Sequence, residues 1–193
     1  MVSVGNAGAE PRPRAGIFML ALPSPMQLAE AVAPGRTVLS PRGKVLENGM
    51  PRYFRRLAEG VFDEQDVIKR ANELADFIVE AGKAYGLPKP VAVGFSNGAN
   101  IAAAILLLRP EALSGAILLR AMVPLAKPPQ AALAQTPVLI VSGASDPIIP
   151  ASNAKRLATM LKDANADVTH ETLPTGHNLT QNDVTIATKW LNR

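Results

Sequence analysis

VAVGFSNGANIAAAILLL, residues 91–108, is the stretch on which the reading of the fold turns. Val91-Ala92-Val93 is a short apolar run that reads as a buried strand. Asn100–Leu108 carries almost nothing polar, and a helix that is apolar on every side is buried on every side. Between them lies Gly94-Phe95-Ser96-Asn97-Gly98, a G-x-S-x-G pattern set after a strand and before a helix. Such a turn crowds its neighbours and strains its central residue. Glycines at 94 and 98 remove the side chains that would clash. The turn lifts the Ser96 hydroxyl clear of the sheet and aims the Asn97 N–H at the place where an oxyanion would form. The plainer reading is a serine that only caps a helix.

The same alternation extends outward in both directions. Ile17–Leu22 is a buried-strand candidate stopped by Pro23, Met26–Val32 a short helix, and Thr37–Leu39 a second strand. Residues 40–62 read as a long irregular loop. Asp63 is placed to cap the next helix, with Asp66 as its capping-box partner. That helix lines up Val67, Ile68, Ala71, Leu74, Ala75, Ile78 and Val79 at a 3.6-residue period. Further strands are expected at Ala116–Leu119, Val138–Val141 and Val168–Leu173. Helices are expected over residues 151–163 and from Thr180, with Asp183 at the box position, to about Trp190-Leu191. Strands that are apolar runs, alternating with helices, predict a mostly parallel sheet covered on both faces. Residues 1–16, rich in Gly, Ala and Pro, are expected to form a loose arm without a signal-peptide pattern. Residues 17–193 are expected to form one domain.

Composition removes several function classes. The 193 residues are 48% hydrophobic and 19% charged, enough apolar side chain for a packed core. Cys is absent, which excludes thiolate catalysis, disulfides and Cys-ligated metals, and two His argue against a multi-His metal site. The net charge is +4, aromatics are 4%, and no Lys/Arg tract supports nucleic-acid binding. No apolar run reaches the roughly 18 residues of a membrane span.

A serine hydroxyl needs a base to become a nucleophile. His170 lies inside a strand candidate and reads as packing or surface. His177 lies in PTGHNLT, a loop after the last strand, where open parallel sheets build their sites. It is the candidate general base. Its orienting acid must also sit past a strand end, and Asp146 in GASDP does so, although an Asp before Pro147 is also an ordinary turn residue. Asp163 and Asp167 are the alternatives. The order Ser96, Asp146, His177 is the serine–acid–histidine order of one class of hydrolase.

GFSNGANIAAAILLLRPE, GASDPIIP and GHNLT resemble the small carboxylesterase/phospholipase branch of the α/β-hydrolases. SPRGKVLENGMPRYFRR is similar to the hydroquinone-linked, MhqD-type esterases of that branch. The resemblance covers about residues 35–193. It implies a three-layer α/β-hydrolase fold without a cap domain and a cytoplasmic enzyme, often dimeric. It also implies that small carboxylic esters are hydrolysed through an acyl-enzyme, with no metal or cofactor. The family pattern places a His-Gly-x-Gly loop after the first strand to supply a second oxyanion N–H. This chain has FMLALPSPMQLAEAVAPG there, and Pro23 and Pro25 have no N–H to offer. The Leu22 or Ser24 N–H is one substitute; Val4–Gly8 as a displaced glycine loop is another. Arg42, Tyr53, Phe54 and Met122, with Leu125, are candidate pocket residues. The competing reading makes Tyr53 and Phe54 loop anchors, leaves Arg52, Arg55 and Arg56 solvated, and gives Met122 and Leu125 to the core. A long-chain acyl esterase or thioesterase and a non-catalytic binding protein on the same fold are the alternative functions. The expected ligand is a small-molecule ester, with no nucleic acid and no membrane insertion. A homodimer is the assembly an uncovered sheet edge would favour.

Overall fold

The computed structural model describes residues 16–20 and 25–193. Six parallel strands form the central sheet: β1 (Ile17–Leu20), β2 (Val38–Leu39), β7 (Val91–Phe95), β8 (Gly115–Leu119), β9 (Pro137–Gly143) and β10 (Asp167–Leu173), in the spatial order β10-β9-β8-β7-β1-β2. Successive residues of each strand point to opposite faces. Phe18, Leu118 and Ile140 therefore join one core, and Met19, Ile117 and Leu139 the other. Helices α2 (Glu64–Tyr85), α3 (Asn97–Leu108) and α4 (Ala151–Asp163) cover the first face, and α1 (Pro25–Val32) and α5 (Gln181–Leu191) the second. This is the expected three-layer α/β architecture. None of the described helices is long and apolar enough to cross a membrane.

Helix α2 buries Val67, Ala71, Ala75 and Ile78, the face its periodicity predicts. It closes on Gly86 in the left-handed region, φ 62°, where a Cβ would be strained. At its start Asp63 accepts from the Asp66 N–H at 3.2 Å. The reciprocal half of the expected capping box is missing, because the Asp66 carboxylate accepts from the Arg55 N–H at 2.8 Å. The box at the last helix does form, from Thr180 and Asp183.

Two expectations change. Residues 40–62 are not an irregular loop but carry two small antiparallel hairpins, β3 (Val45–Glu47) with β4 (Met50–Arg52), and β5 (Arg56–Ala58) with β6 (Val61–Phe62). The first turns on Asn48-Gly49, both at positive φ, the dipeptide that suits the twist of a tight hairpin. Helix α3 begins at Asn97 rather than Asn100, so the helix starts directly behind the serine. The expected arm lies outside the described residues except for Gly16, which is buried and whose carbonyl accepts from the Val91 N–H at 3.0 Å.

Candidate active site

Ser96 follows β7 directly and stands at φ 52°, ψ −115°, a backbone state that non-glycine residues occupy only when their surroundings force it. The surroundings are backbone. A Cβ at Gly98 would lie 1.5 Å from the Leu20 carbonyl oxygen, and one at Gly94 would lie 2.6 Å from the backbone of Ala99. Strand β1, strand β7 and helix α3 thus meet closer than any side chain permits. Ser96 occupies the N-cap position of α3, yet its side chain makes no capping hydrogen bond. The capping reading fails, and the hydroxyl is left for another partner.

That partner is the ring of His177, whose Nε2 lies 3.0 Å from Ser96 Oγ. The other ring nitrogen, Nδ1, lies 2.8 Å from Asp146 Oδ2. With Nδ1–H donated to the carboxylate, Nε2 is the acceptor for the serine hydroxyl. Asp146 is almost fully buried, and its other oxygen accepts from the Ile148 and Ile149 N–H groups at 2.8 and 3.0 Å. Each of its oxygens therefore has a fixed role. Phe95 packs against the His177 ring, centroids 5.4 Å apart. The three residues come from three different strand ends, and the sheet brings them to one rim. Asp163 ends α4 and Asp167 opens β10. His170, on β10, bonds instead to Ser142 at 2.8 Å, and burial, with Lys162 and Lys155, pushes its pKa down.

A cavity of about 160 Å³ opens beside Ser96, walled by Met50, Pro51, Arg52, Tyr53, Phe95 and Asn97. The first hairpin therefore forms its outer wall. Asn97 braces that wall, its Oδ1 accepting from the Tyr53 N–H at 2.8 Å. The Asn97 backbone N–H lies in the first turn of α3, where amides have no intrahelical acceptor. A larger cavity of about 660 Å³, lined by Leu107, Pro128 and Met160 among others, contains none of the three polar residues.

The pocket candidates separate. Tyr53 lines the cavity; its hydroxyl donates to the Pro41 carbonyl at 3.1 Å, and burial raises its pKa. Phe54 is fully buried, edge-on against Phe62 at 4.9 Å, and anchors the hairpins to the core. Arg42 faces a different cavity, of about 190 Å³, with Lys44, Glu73 and Phe77. Met122 and Leu125 are buried, and the Met122 N–H donates to Asn100 Oδ1 at 2.7 Å. Of the arginines that the competing reading leaves solvated, Arg52 and Arg56 are half-buried and ion-paired with Glu47, while Arg55 pairs with Asp63 and stays largely exposed. The Arg56 hydrogen bond holds the Glu47 carboxyl below its ordinary pKa. Leu22, Ser24 and residues 4–8, the candidates for a second oxyanion donor, lie outside the described residues.

Sequence reading named Tyr53 and Asn97 but missed Met50, Pro51 and Arg52 as walls of the cavity, and it read Asp183 only as a capping-box residue, missing its buried pairing with Arg120. Arg120 had one visible signal, a lone cation closing the apolar run AILLR.

Residues 23–193 match the family described as Phospholipase/Carboxylesterase. A Bacillus subtilis (strain 168) protein, MhqD, named as a hydrolase, is 41% identical over 167 residues, 86% of this chain and 84% of its own. The carboxylesterase of Bacillus cereus is 42% identical, with a TM-score of 0.89, covering 100% of this chain and 94% of that one. The carboxylesterase of Mesorhizobium loti is 30% identical, with a TM-score of 0.88, covering 93% and 88%.

Proposed function

Since the chain belongs to the phospholipase/carboxylesterase family of α/β-hydrolases and is a carboxylic ester hydrolase, we propose that it cleaves small carboxylic esters through an acyl-enzyme on Ser96. The observation that supports this reading is the His177 ring lying between Ser96 Oγ at 3.0 Å and Asp146 Oδ2 at 2.8 Å.

In the proposed cycle Ser96 Oγ attacks the acyl carbonyl carbon while His177 Nε2 takes its proton. Asp146 keeps Nδ1 protonated and stabilises the imidazolium that results. The carbonyl oxygen becomes an oxyanion facing the Asn97 N–H, with the Leu22 or Ser24 N–H as the proposed second donor. The intermediate collapses, His177 returns its proton to the departing alkoxide oxygen, and the alcohol leaves. A water deprotonated by the same Nε2 then attacks the acyl carbon, and Ser96 recovers its proton as the acid is released. Every step uses side chains and backbone of this chain, without a metal or cofactor.

The cavity beside Ser96, about 160 Å³, favours a short acyl or compact aromatic group over a long chain. Drug-sized ligands occupy roughly 300–1,000 Å³. The family resemblance extends the proposal to a cytoplasmic enzyme, and the open seven-residue edge strand β10 suits a homodimer. Residues 17–193 are proposed to act as one domain.

Ser96→Ala tests the mechanism. Turnover of p-nitrophenyl acetate should fall by about 10³-fold or more, and a serine-reactive phosphonate should cease to label the folded protein. Turnover that survives this change points to another nucleophile.

A further inference from the structure

Arg120 stands one residue past β8, on the rim of the sheet that carries Ser96. Its backbone is in the left-handed region, φ 54°, and its side chain is completely buried, as is that of Asp183. A guanidinium cannot shed its charge, so burial is tolerated only where its donors are satisfied. Two of its bonds form a fork on Asp183, Nη1 to Oδ1 at 2.6 Å and Nη2 to Oδ2 at 3.1 Å. Nη1 also reaches the Val141 carbonyl at 3.3 Å.

The remaining bonds go to the loop that carries His177. Nε donates to the Gly176 carbonyl at 3.0 Å, and Nη2 to Thr175 Oγ1 at 3.0 Å and the Asn178 carbonyl at 3.2 Å. One guanidinium therefore holds the chain on both sides of His177 and ties it to β9 and to the first turn of α5. Asp183 Oδ2 is fixed in turn by the Thr180 N–H and hydroxyl, both at 2.8 Å.

The geometry points to Arg120, anchored on Asp183, as the positioning residue for His177. It sets the loop so that Nε2 meets Ser96 while Nδ1 meets Asp146. The inference rests on the reading of His177 as the general base. A pair serving only the fold is a poor physical alternative, since buried ion pairs add little net stability over apolar residues of similar volume. The two roles also differ in what they predict for catalysis.

Three variants separate them. Arg120→Lys keeps the charge but loses the planar fork. Thr175→Val removes a single acceptor. Leu161→Ala opens the core under α4, on the sheet face opposite α5, and serves as the stability control. For each, kcat and KM for p-nitrophenyl acetate, the Tm, and the downfield NMR resonance of the His177 Nδ1 proton are measured. Displacing a reacting group by an ångström lowers the rate by about 10²-fold. Arg120→Lys should therefore lower kcat by about 10²-fold, with KM within about twofold, and weaken the downfield resonance. Thr175→Val should lower kcat by about 3- to 10-fold with the Tm nearly unchanged. Leu161→Ala should lower the Tm and leave kcat and the resonance as in the wild type. Wild-type kcat and resonance in Arg120→Lys and Thr175→Val overturn the inference, as does a matching loss of kcat in Leu161→Ala. Should Arg120→Lys fail to fold, Thr175→Val decides alone. Turnover retained by Ser96→Ala would defeat the underlying mechanism. An inactive Ser96→Ala beside a fully active Arg120→Lys would defeat only the positioning role.

Discussion

Gly98→Ala places one methyl group against the most crowded point of the fold. The new Cβ would sit 1.5 Å from the Leu20 carbonyl oxygen and 2.5 Å from its carbon, distances at which an atom must move. The obstacle is backbone, so no rotamer change relieves it. Reaching even 3.0 Å requires a displacement of about 1.5 Å between β1 and the start of α3. Leu20 pairs with Gly94 in the ladder between β1 and β7, where strands lie about 4.8 Å apart, so that displacement breaks local hydrogen bonds. Overpacking a well-filled core costs about 1–3 kcal/mol even when side chains can adjust. With backbone on both sides the cost should be about 3 kcal/mol or more. For a chain of this size that corresponds to a fall in Tm of roughly 6–12 °C. The same displacement moves Ser96 against His177, and turnover should fall by about 10²-fold. Gly86→Ala is the comparison, since φ there is 62° but no atom lies within 4 Å of the added Cβ. It should cost only about 1 kcal/mol and spare turnover. Thermal unfolding, urea unfolding and p-nitrophenyl acetate hydrolysis are measured on all three proteins. A Gly98→Ala enzyme no less stable and no less active than Gly86→Ala would refute the reasoning.

Phe54→Ala empties a fully buried site that anchors both hairpins. It should cost about 3–5 kcal/mol in urea unfolding and loosen the neighbouring Tyr53 wall, so a loss under about 1 kcal/mol would show that the hairpins are held elsewhere. His170 has a folded pKa below its usual 6.5, chiefly through burial, with Lys162 and Lys155 adding and Glu171 opposing. The unfolded chain therefore takes up the proton first as pH falls below 6.5, and stability declines from there until the folded pKa is passed. His170→Gln should remove that part of the slope; unfolding curves between pH 5 and 7 with the same slope in both proteins would contradict the assignment.

The sequence alone determined what local chemistry can determine. Element order follows from runs of apolar residues and their periods, and these survive in any register. Ser96, Asp146 and His177 stood out because each sits just past a strand end, and carboxyl ends of parallel strands share one rim. The bonds between them were decided only in three dimensions, since 81 residues separate Ser96 from His177 and 31 separate His177 from Asp146. The hairpins in residues 40–62 were missed although Asn48-Gly49 marks a tight turn, because three-residue strands carry too few alternations to show a period. Arg52 and Arg56 looked solvated because their partner, Glu47, is supplied by the facing strand or by a different hairpin, whereas Arg55, paired with Asp63, does stay largely exposed. Arg120 was the least legible. A buried cation is intelligible only beside the carboxylate that neutralises it, and Asp183 lies 63 residues away. Periodicity reports which way a side chain faces; tertiary contact alone reports what it finds there.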